Sequence, residues 1–158
     1  MIADGESVLR EFRAEDAGIV KQLIDETIDG SYAATYPPKA IEFFKQYHCV
    51  EQILADARNG QTLVLQTGAA LIGTGTLLGK EIKRMFVAPG AQRRGFGRRL
   101  LVALEELARA DGLKTIELYA SLVARPFYEA MGFRLVKESC VLLDDGERLD
   151  CFVMTKDL

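Results

Sequence analysis

The sequence is poor in features that would each point to a particular class of protein. It has three cysteines, Cys49, Cys140 and Cys151, an odd number without metal-ligand spacing. This argues against a disulfide scaffold and a metal site, and indicates reduced thiols in the cytosol. No apolar run approaches the length of a membrane span, and the first residues, MIADGESVLREF, lack the basic start and apolar core of a signal peptide. We therefore expect a cytoplasmic protein with no membrane partner.

An excess of positive charge is also lacking. The formal net charge of −3 argues against a nucleic-acid partner, because a protein that binds the phosphate backbone usually carries a basic surface. What is present is an ordinary globular composition, with 49% hydrophobic and 27% charged residues. A length of 158 residues predicts one domain over residues 1–158, long enough to bury a core.

Hydrophobic periodicity predicts elements in the order β-α-α-β-β-β-α-β-α-β-β. Helical spacing relates Ala17, Val20, Ile24 and Ile28, and later Leu100, Leu104, Leu107 and Ala108. One or two helices are predicted between Pro38 and Asn59, followed by the strands TLVLQT, ALIGTGTLL and EIKRMFV. Gly73 and Gly75 in the second of these strands indicate a bulge or a close approach of another chain segment. The order predicts a mixed α/β or α+β domain, with a central sheet of six to seven strands covered by about four helices.

The segment VAPGAQRRGFGRRLL, residues 87–101, concentrates positive charge between a predicted strand and a predicted helix. Residues 80–99 hold seven of the 20 lysines and arginines but a single acid, Glu81. Backbone N–H groups at a helix start bind phosphates, and Gly95 and Gly97 would let a phosphate come close to the main chain. The segment has neither the Gly-Lys-Ser/Thr ending of a nucleotide-hydrolase loop nor the three glycines of a dinucleotide fingerprint. It predicts a site for a phosphate-rich cofactor, although Arg98 and Arg99 are equally compatible with a solvated helix face.

Two motifs together resemble one known family. QRRGFG is similar to the Gln/Arg-x-x-Gly-x-Gly/Ala loop of the GCN5-related N-acetyltransferases (the GNAT superfamily), and ARPFYEAMGF resembles that family's Ala-x-x-Phe-Tyr-Glu-x-x-Gly-Phe signature. The strand order matches over nearly the whole chain. The resemblance implies the GNAT-like acyl-CoA N-acyltransferase fold, a twisted sheet splayed open between its fourth and fifth strands. It also implies acetyl-CoA bound in that gap as co-substrate, with no metal.

The resemblance further implies which residues bind coenzyme A. The pantetheine would pair with main chain at Met85, Phe86 and Val87. The pyrophosphate would lie on N–H groups of the loop, which comprises Gln92, Arg93, Arg94, Gly95, Phe96, Gly97 and Arg98. At the end of the fifth strand the family usually has an asparagine that binds the cofactor, seven residues before its tyrosine, and here that position is Ser121. A hydroxyl cannot replace both groups of an amide, so this contact is expected to be weaker or displaced.

The resemblance assigns the catalytic acid to Tyr128. A phenol suits this role because its ordinary pKa, about 10, is near or above that of a thiol. An aromatic core residue is the structural alternative, and Phe127 is expected to fill that position because neighbours on a helix face different ways.

The general base is less well defined by the sequence. Many family members have a glutamate at the position of Glu81, and strand alternation places Glu81 on one face with Lys83, Met85 and Val87. A surface carboxylate that balances Lys80 and Lys83 is the equally supported alternative. His48, in a predicted helical region, is expected to be structural or exposed, since a lone histidine on a helix is rarely catalytic.

The activity implied is an acetyl-CoA-dependent N-acetyltransferase that transfers acetyl to a primary amine of a small molecule or peptide. The alternatives are a CoA-binding regulatory domain without turnover and an acyltransferase that uses another acyl-CoA or an alcohol acceptor. Aromatic residues for an apolar wall of the acceptor site are Tyr32, Tyr36, Phe43 and Phe44, and acids to attract a cation are Glu26, Asp29, Asp144 and Asp145. Each also has a structural explanation, as core or as solvated turn. A homodimer is compatible with the family.

Overall fold

A seven-stranded sheet forms the centre of the computed structural model, which describes residues 6–158. The strands are β1 (Ser7–Glu11), β2 (Gln61–Thr67), β3 (Ala70–Leu78), β4 (Glu81–Val87), β5 (Thr115–Ala120), β6 (Arg134–Leu142) and β7 (Arg148–Asp157). Their order across the sheet is β1-β2-β3-β4-β5-β7-β6. Adjacent strands are antiparallel except for β4 and β5, which are parallel. The mixed sheet predicted from the sequence is thereby confirmed.

Five α-helices accompany the sheet: α1 (Ala17–Ser31), α2 (Pro38–Tyr47), α3 (Val50–Asn59), α4 (Phe96–Ala110) and α5 (Arg125–Ala130). The region predicted as one or two helices therefore forms two. The break falls at His48, whose φ of −100° and ψ of 45° leave the helical region, and Cys49 is extended. Within residues 6–158, no helix combines the length and the apolar character needed to cross a bilayer.

Apolar residues form one core on each face of the sheet. On one face the predicted stripe of α4 is buried, with Leu100, Leu104 and Ala108 inaccessible to solvent. On the other face α1 buries Val20 and Ile24, among others, together with side chains from α2 and α3. Since helices cover both faces of the sheet, a ligand can reach the middle of the sheet only where neighbouring strands separate.

Such a separation occurs between β4 and β5. Their register pairs only Glu81 with Glu117, and the Glu117 N–H donates to the Lys80 carbonyl oxygen at 2.9 Å. Glu81 begins β4 and Glu117 is the third residue of β5, so the strands meet there and are not paired further along in the part of the chain described. A cavity opens beside them.

A β-bulge interrupts β4 next to this separation. Thr74 and Thr76 of β3 face Phe86 and Lys83, so that two residues of β4, Arg84 and Met85, stand opposite the single Gly75. A Cβ at Gly75 would lie 2.6 Å from the Met85 Sδ and 2.9 Å from a methyl carbon of Leu104. The close approach expected at this glycine is therefore present, and it gives the bulge room on the face covered by α4.

Candidate active site

A cavity of about 430 Å³ lies at the separation of β4 and β5. Five of the residues predicted for the site line it: Glu81, Met85, Phe86, Ser121 and Tyr128. Three of the predicted aromatic residues also line it: Tyr32, Phe43 and Phe44. The structure thus brings together the predicted acid, the predicted base and part of the predicted cofactor strand. The arginine-rich loop lies beyond the carboxyl end of β4.

The loop ends in an open helix start. Gly95 is the N-cap of α4 with a φ of +84°, a left-handed conformation that favours glycine. The first backbone bond of the helix runs from the Arg99 N–H to the Gly95 carbonyl oxygen at 3.1 Å. Within residues 6–158, no side chain caps the N–H groups ahead of it. These groups form an arrangement that can accept an anion.

Gly97 lies where α4 approaches β4 and α5. A Cβ at this position would be 3.4 Å from the Phe127 ring and 3.7 Å from a methyl carbon of Val87, both ordinary contacts. The fold therefore has room for a small side chain at residue 97. A requirement for glycine here would come from a ligand that approaches the main chain.

The polar side chains of the loop have different surroundings. Arg93 has a φ of 61° and is exposed, and Arg98 is exposed at the start of α4. The Arg94 guanidinium lies 5.3 Å from the centre of the Phe96 ring. The amide of Gln92 donates to the Val87 carbonyl oxygen at 3.0 Å, so this side chain holds the loop against the end of β4.

Arg99 has a structural explanation. Both terminal nitrogens of its guanidinium donate to the Ser7 carbonyl oxygen at 3.1 Å, which joins α4 to β1. Of the two arginines that the sequence left open, Arg99 therefore contacts an edge strand, and Arg98 is left on the exposed face of the helix start.

Tyr128 is buried at the cavity, with 7% of its surface exposed, and its ring contacts those of Phe127 and Phe133. The expectation that Phe127 would be the core residue is wrong. Phe127 is only partly buried, packed against the edge of the core and close to Gly97 at the start of α4, whereas Tyr128 belongs to the core. Burial raises the pKa of the Tyr128 hydroxyl well above its ordinary value, so this group keeps its proton at neutral pH.

Glu81 lies at the junction of β4 and β5, half-buried and 3.7 Å from the Lys83 Nζ. Its pKa is raised, first by burial, while the Lys83 charge lowers it and the Glu117 charge raises it again. A carboxylate with a raised pKa takes up a proton more readily than an ordinary glutamate. The ion pair with Lys83 is also present, so the structure contains the features of both interpretations of this residue.

The bulge changes which residues of β4 share a face. Strict alternation predicted Glu81, Lys83, Met85 and Val87 on one side, and this is wrong beyond Lys83. Met85 and Val87 pack in the core under α4, whereas Phe86 packs in the core under α1 and α2. One extra residue in a strand inverts the alternation of all residues after it.

Ser121 stabilises the start of α5. Its hydroxyl accepts a hydrogen bond from the Ala124 N–H at 3.1 Å and donates one to the Tyr32 hydroxyl at 3.2 Å. Nearby, the Tyr36 hydroxyl accepts a bond from the Leu122 N–H at 2.8 Å. The serine hydroxyl is thus already engaged by the protein, consistent with a weaker or displaced contact to a cofactor.

The acidic residues suggested for a cation do not form a group at the cavity. Asp29 pairs with Lys45 at 2.8 Å, and Glu26 accepts a hydrogen bond from Gln22 at 2.9 Å, both on the surface. Asp144 and Asp145 are exposed in the turn between β6 and β7. Besides Glu81, the described residues place Asp150 of β7 at the cavity, an acid that the sequence reasoning missed.

A second group that the sequence reasoning missed joins β4 to α3 and to the end of α2. Asp56 of α3 pairs with both Arg84, at 2.5 Å, and Lys83, at 3.3 Å. His48 is buried beside Phe86, and burial together with the nearby Arg84 charge lowers the pKa of its imidazole to about 3. His48 is therefore neutral at physiological pH. The signal in the sequence was the Lys83-Arg84 pair within a strand whose other residues are mostly apolar.

Comparison with known proteins gives a consistent result. A model of the acetyltransferase (GNAT) domain family matches residues 32–146. An IAA acetyltransferase from Azospirillum brasilense is 36% identical over 115 residues, 71% of each chain. A GCN5-related N-acetyltransferase structure from Rhodopseudomonas palustris superposes with a TM-score of 0.89 at 26% identity, covering 100% of this chain and 99% of that one.

A more distant structure shares the same fold. The PaiA N-acetyltransferase from Thermoplasma acidophilum, solved in complex with coenzyme A, superposes with a TM-score of 0.78 at 20% identity over 97% of this chain and 99% of that one. On the family match, the sequence relative and the fold, this chain belongs to the GCN5-related N-acetyltransferase family.

Proposed function

We propose that the chain, as one domain over residues 1–158, is an acetyl-CoA-dependent N-acetyltransferase that transfers acetyl to a primary amine of a small molecule or peptide by direct attack. The observation that carries the proposal is the cavity at the separation of β4 and β5, which both Glu81 and Tyr128 line. Family membership and the coenzyme A bound by the Thermoplasma protein support it.

The residues present fit coenzyme A. The uncapped start of α4 offers N–H groups to a pyrophosphate at Gly95–Arg98, with Arg93, Arg94 and Arg98 around it. Main chain at Met85–Val87 borders the separation of the strands and is available to the amide groups of a pantetheine arm. When bound, the thioester supplies an activated acetyl group whose carbonyl carbon an amine can attack.

Glu81 is proposed as the group that removes the proton from the amine. An ammonium group has no lone pair, so the acceptor must lose a proton before or during attack. Because its pKa is raised, Glu81 accepts a proton from the amine more readily than an ordinary glutamate would. The neighbouring Lys83 keeps the ionised form accessible at neutral pH, because a positive charge nearby favours the carboxylate.

Tyr128 is proposed as the donor to the departing sulfur. A hydroxyl whose pKa is raised by burial keeps its proton, so it is present as a hydrogen-bond donor throughout the pH range in which the amine can react. Its burial against Phe133 fixes the ring, so that the donor needs little reorganisation when charge develops on the sulfur.

An acceptor screen tests this proposal. Thiol release from acetyl-CoA, with propionyl-CoA in parallel, is followed against a panel of amino acids, polyamines and peptide amines, with calorimetry of CoA binding beside it. The expected result is thiol release that requires an amine and is fastest with acetyl-CoA. Binding of CoA without thiol release for any acceptor would favour a regulatory domain, and a preference for propionyl-CoA would favour a different acyl group.

A further inference from the structure

The bulge in β4 turns two successive cations to the same side of the sheet. In a regular strand Lys83 and Arg84 would face opposite sides. Here both side chains meet the carboxylate of Asp56 on α3, with Nζ–Oδ2 and Nη1–Oδ2 distances of 3.3 Å and 2.5 Å. Both residues also line the cavity. The result is a pair of cations, here called the cationic wall, on the side of the cavity that α2 borders.

The charges around this wall balance only while Glu81 is ionised, so they no longer balance once Glu81 takes up a proton. Lys83 and Arg84 carry two positive charges, against one negative charge on Asp56 and one on Glu81, which is 3.7 Å from Lys83. His48, on the same wall, is neutral. If Glu81 accepts the proton of the amine, the wall is left with a net charge of about +1. An anionic group of the acceptor placed there would offset that charge and assist the proton transfer.

Arg84 itself points to an anion. Its side chain is 2% exposed, and among the described residues no partner is found for its buried Nε and Nη2. Its backbone φ is 51°, a left-handed conformation that is unfavourable for residues other than glycine. A buried guanidinium with unused donors is unfavourable unless a charged or polar acceptor meets it. A carboxylate is the group that best matches its donor geometry.

The part of the cavity next to Lys83 and Arg84 is lined by aromatic side chains. Tyr32, Phe44 and Tyr47 line the cavity, and the Lys83 Nζ lies 5.7 Å from the centre of the Tyr47 ring. Lys83 is 15% exposed, so its ammonium is partly accessible between the ring and Asp56. A ligand held by its carboxylate at Lys83 would therefore have an apolar surface beside it for a hydrocarbon or aromatic body.

We infer that Lys83 and Arg84 form a subsite for the carboxylate of the acceptor, which is thus an amine that also carries a carboxylate and an apolar body, as a hydrophobic α-amino acid does. This inference rests on the proposed function, because it specifies the acceptor of the same site. Peptide amino termini, which lack a carboxylate next to the amine, would be poor acceptors.

Matched acceptors test the inference by turnover. Phenylalanine, phenylalaninamide and phenethylamine share the amine and the ring, but only phenylalanine has the carboxylate. We expect wild-type kcat/KM to favour phenylalanine over both others by at least about tenfold, the usual range for one charge-assisted contact. Lys83→Met, which keeps the aliphatic stem on the Tyr47 ring, should bring the ratio towards one through a higher KM for phenylalanine. Lys83→Arg keeps the positive charge and should retain most of the preference for phenylalanine.

A binding measurement separates this inference from the proposed function. Calorimetry of the CoA complex with N-acetylphenylalanine and with N-acetylphenethylamine reports on the subsite without turnover. At least about tenfold tighter binding of N-acetylphenylalanine, reduced in Lys83→Met, supports the subsite even if no amine is acetylated, in which case the proposed function fails alone. Equal use of the three amines, or no difference in product binding, overturns the carboxylate subsite and leaves the proposed function in place.

Discussion

The two ends of β4 offer a ligand different kinds of group. At its carboxyl end these are main-chain N–H groups of the open start of α4, whereas towards its amino end they are side chains. The loop before α4 is exposed, and Gly95 adopts a left-handed conformation there. Around Glu81 and Arg84 the groups are half-buried or buried, with Glu81 paired to Lys83 and Arg84 paired to Asp56 of α3. The first region can bind a ligand shared by a whole family, and the second can differ from one member to the next.

From this difference we predict that catalysis near the amino end of β4 depends on individual side-chain groups. Among them Tyr128, which lines the same cavity, should give the largest loss of turnover when it is replaced. Tyr128→Phe keeps the ring in the core and removes only the hydroxyl. Turnover should fall by roughly 10²–10⁴-fold with acetyl-CoA affinity nearly unchanged, as measured by steady-state kinetics and calorimetry. Tyr36→Phe is the matched control, since it removes the hydroxyl bonded to the Leu122 N–H and should cost stability rather than turnover. Wild-type turnover in Tyr128→Phe would contradict the acid role.

At the carboxyl end, access to the main chain should be what matters. Gly97→Asp introduces a negative charge beside the helix start, and we expect acetyl-CoA affinity to fall by about 100-fold or more while the fold persists. Gly97→Ala should bind acetyl-CoA far more tightly than Gly97→Asp, since its Cβ makes ordinary contacts at 3.4 Å with the Phe127 ring. Arg98 lies on the exposed face of the helix, so Arg98→Gln should lower the affinity for acetyl-CoA only severalfold at low salt. Calorimetry that gives equal affinity for Gly97→Asp and wild type would remove the cofactor site from this loop.

The proton acceptor at the amino end can be examined by pH. Because the ionised form of Glu81 is needed and its pKa is raised, activity should rise with pH through a value above that of an ordinary glutamate. Glu81→Gln should lose most turnover near neutral pH, by about tenfold or more, and recover part of it as the pH approaches the pKa of the acceptor amine, which is about 10.4 for a lysine-type amine and lower for an α-amino group.

Glu117→Gln is the control for this experiment. The Glu117 charge raises the pKa of Glu81, so its removal should shift the acid limb of the turnover profile to lower pH and leave the plateau in place. Profiles of Glu81→Gln and wild type that run in parallel would rule out the base role and leave Glu81 as the ion-pair partner of Lys83.

The smallest effect is expected at Ser121, which lies between the two regions. Ser121→Ala removes the bond from the Ala124 N–H at the start of α5, so the free energy of unfolding should fall by about 1 kcal/mol in a urea titration. If the hydroxyl also meets the cofactor, the KM for acetyl-CoA should rise severalfold in the same variant. A KM that stays constant would assign Ser121 to α5 alone.

The comparison also explains which features the sequence could predict. The helix stripes, the strand order and the loop of Gly95 and Gly97 depend on residues close together in the chain, so local patterns were sufficient. The bulge was not predicted in β4, because alternation assumes a regular strand and the room for the extra residue is made by Gly75 of β3. The Asp56–Arg84 pair joins residues 28 positions apart, and no local pattern indicates such a contact. His48 is buried because α2 and α3 break beside it, which the apolar spacing alone left undecided.

The single registered pair between β4 and β5 has a consequence for how the protein exchanges its amide hydrogens. Glu81 and Glu117 close one end of the parallel pair, and beyond them the facing edges of two central strands border a cavity instead of each other. A central sheet normally gives the slowest-exchanging amides of a domain. Here the amides of β4 that face the separation should exchange as fast as those of an outer strand, and slow markedly once a ligand with amide groups occupies it. Amides on the opposite edge of β4, paired with β3, should change little and thereby provide an internal reference.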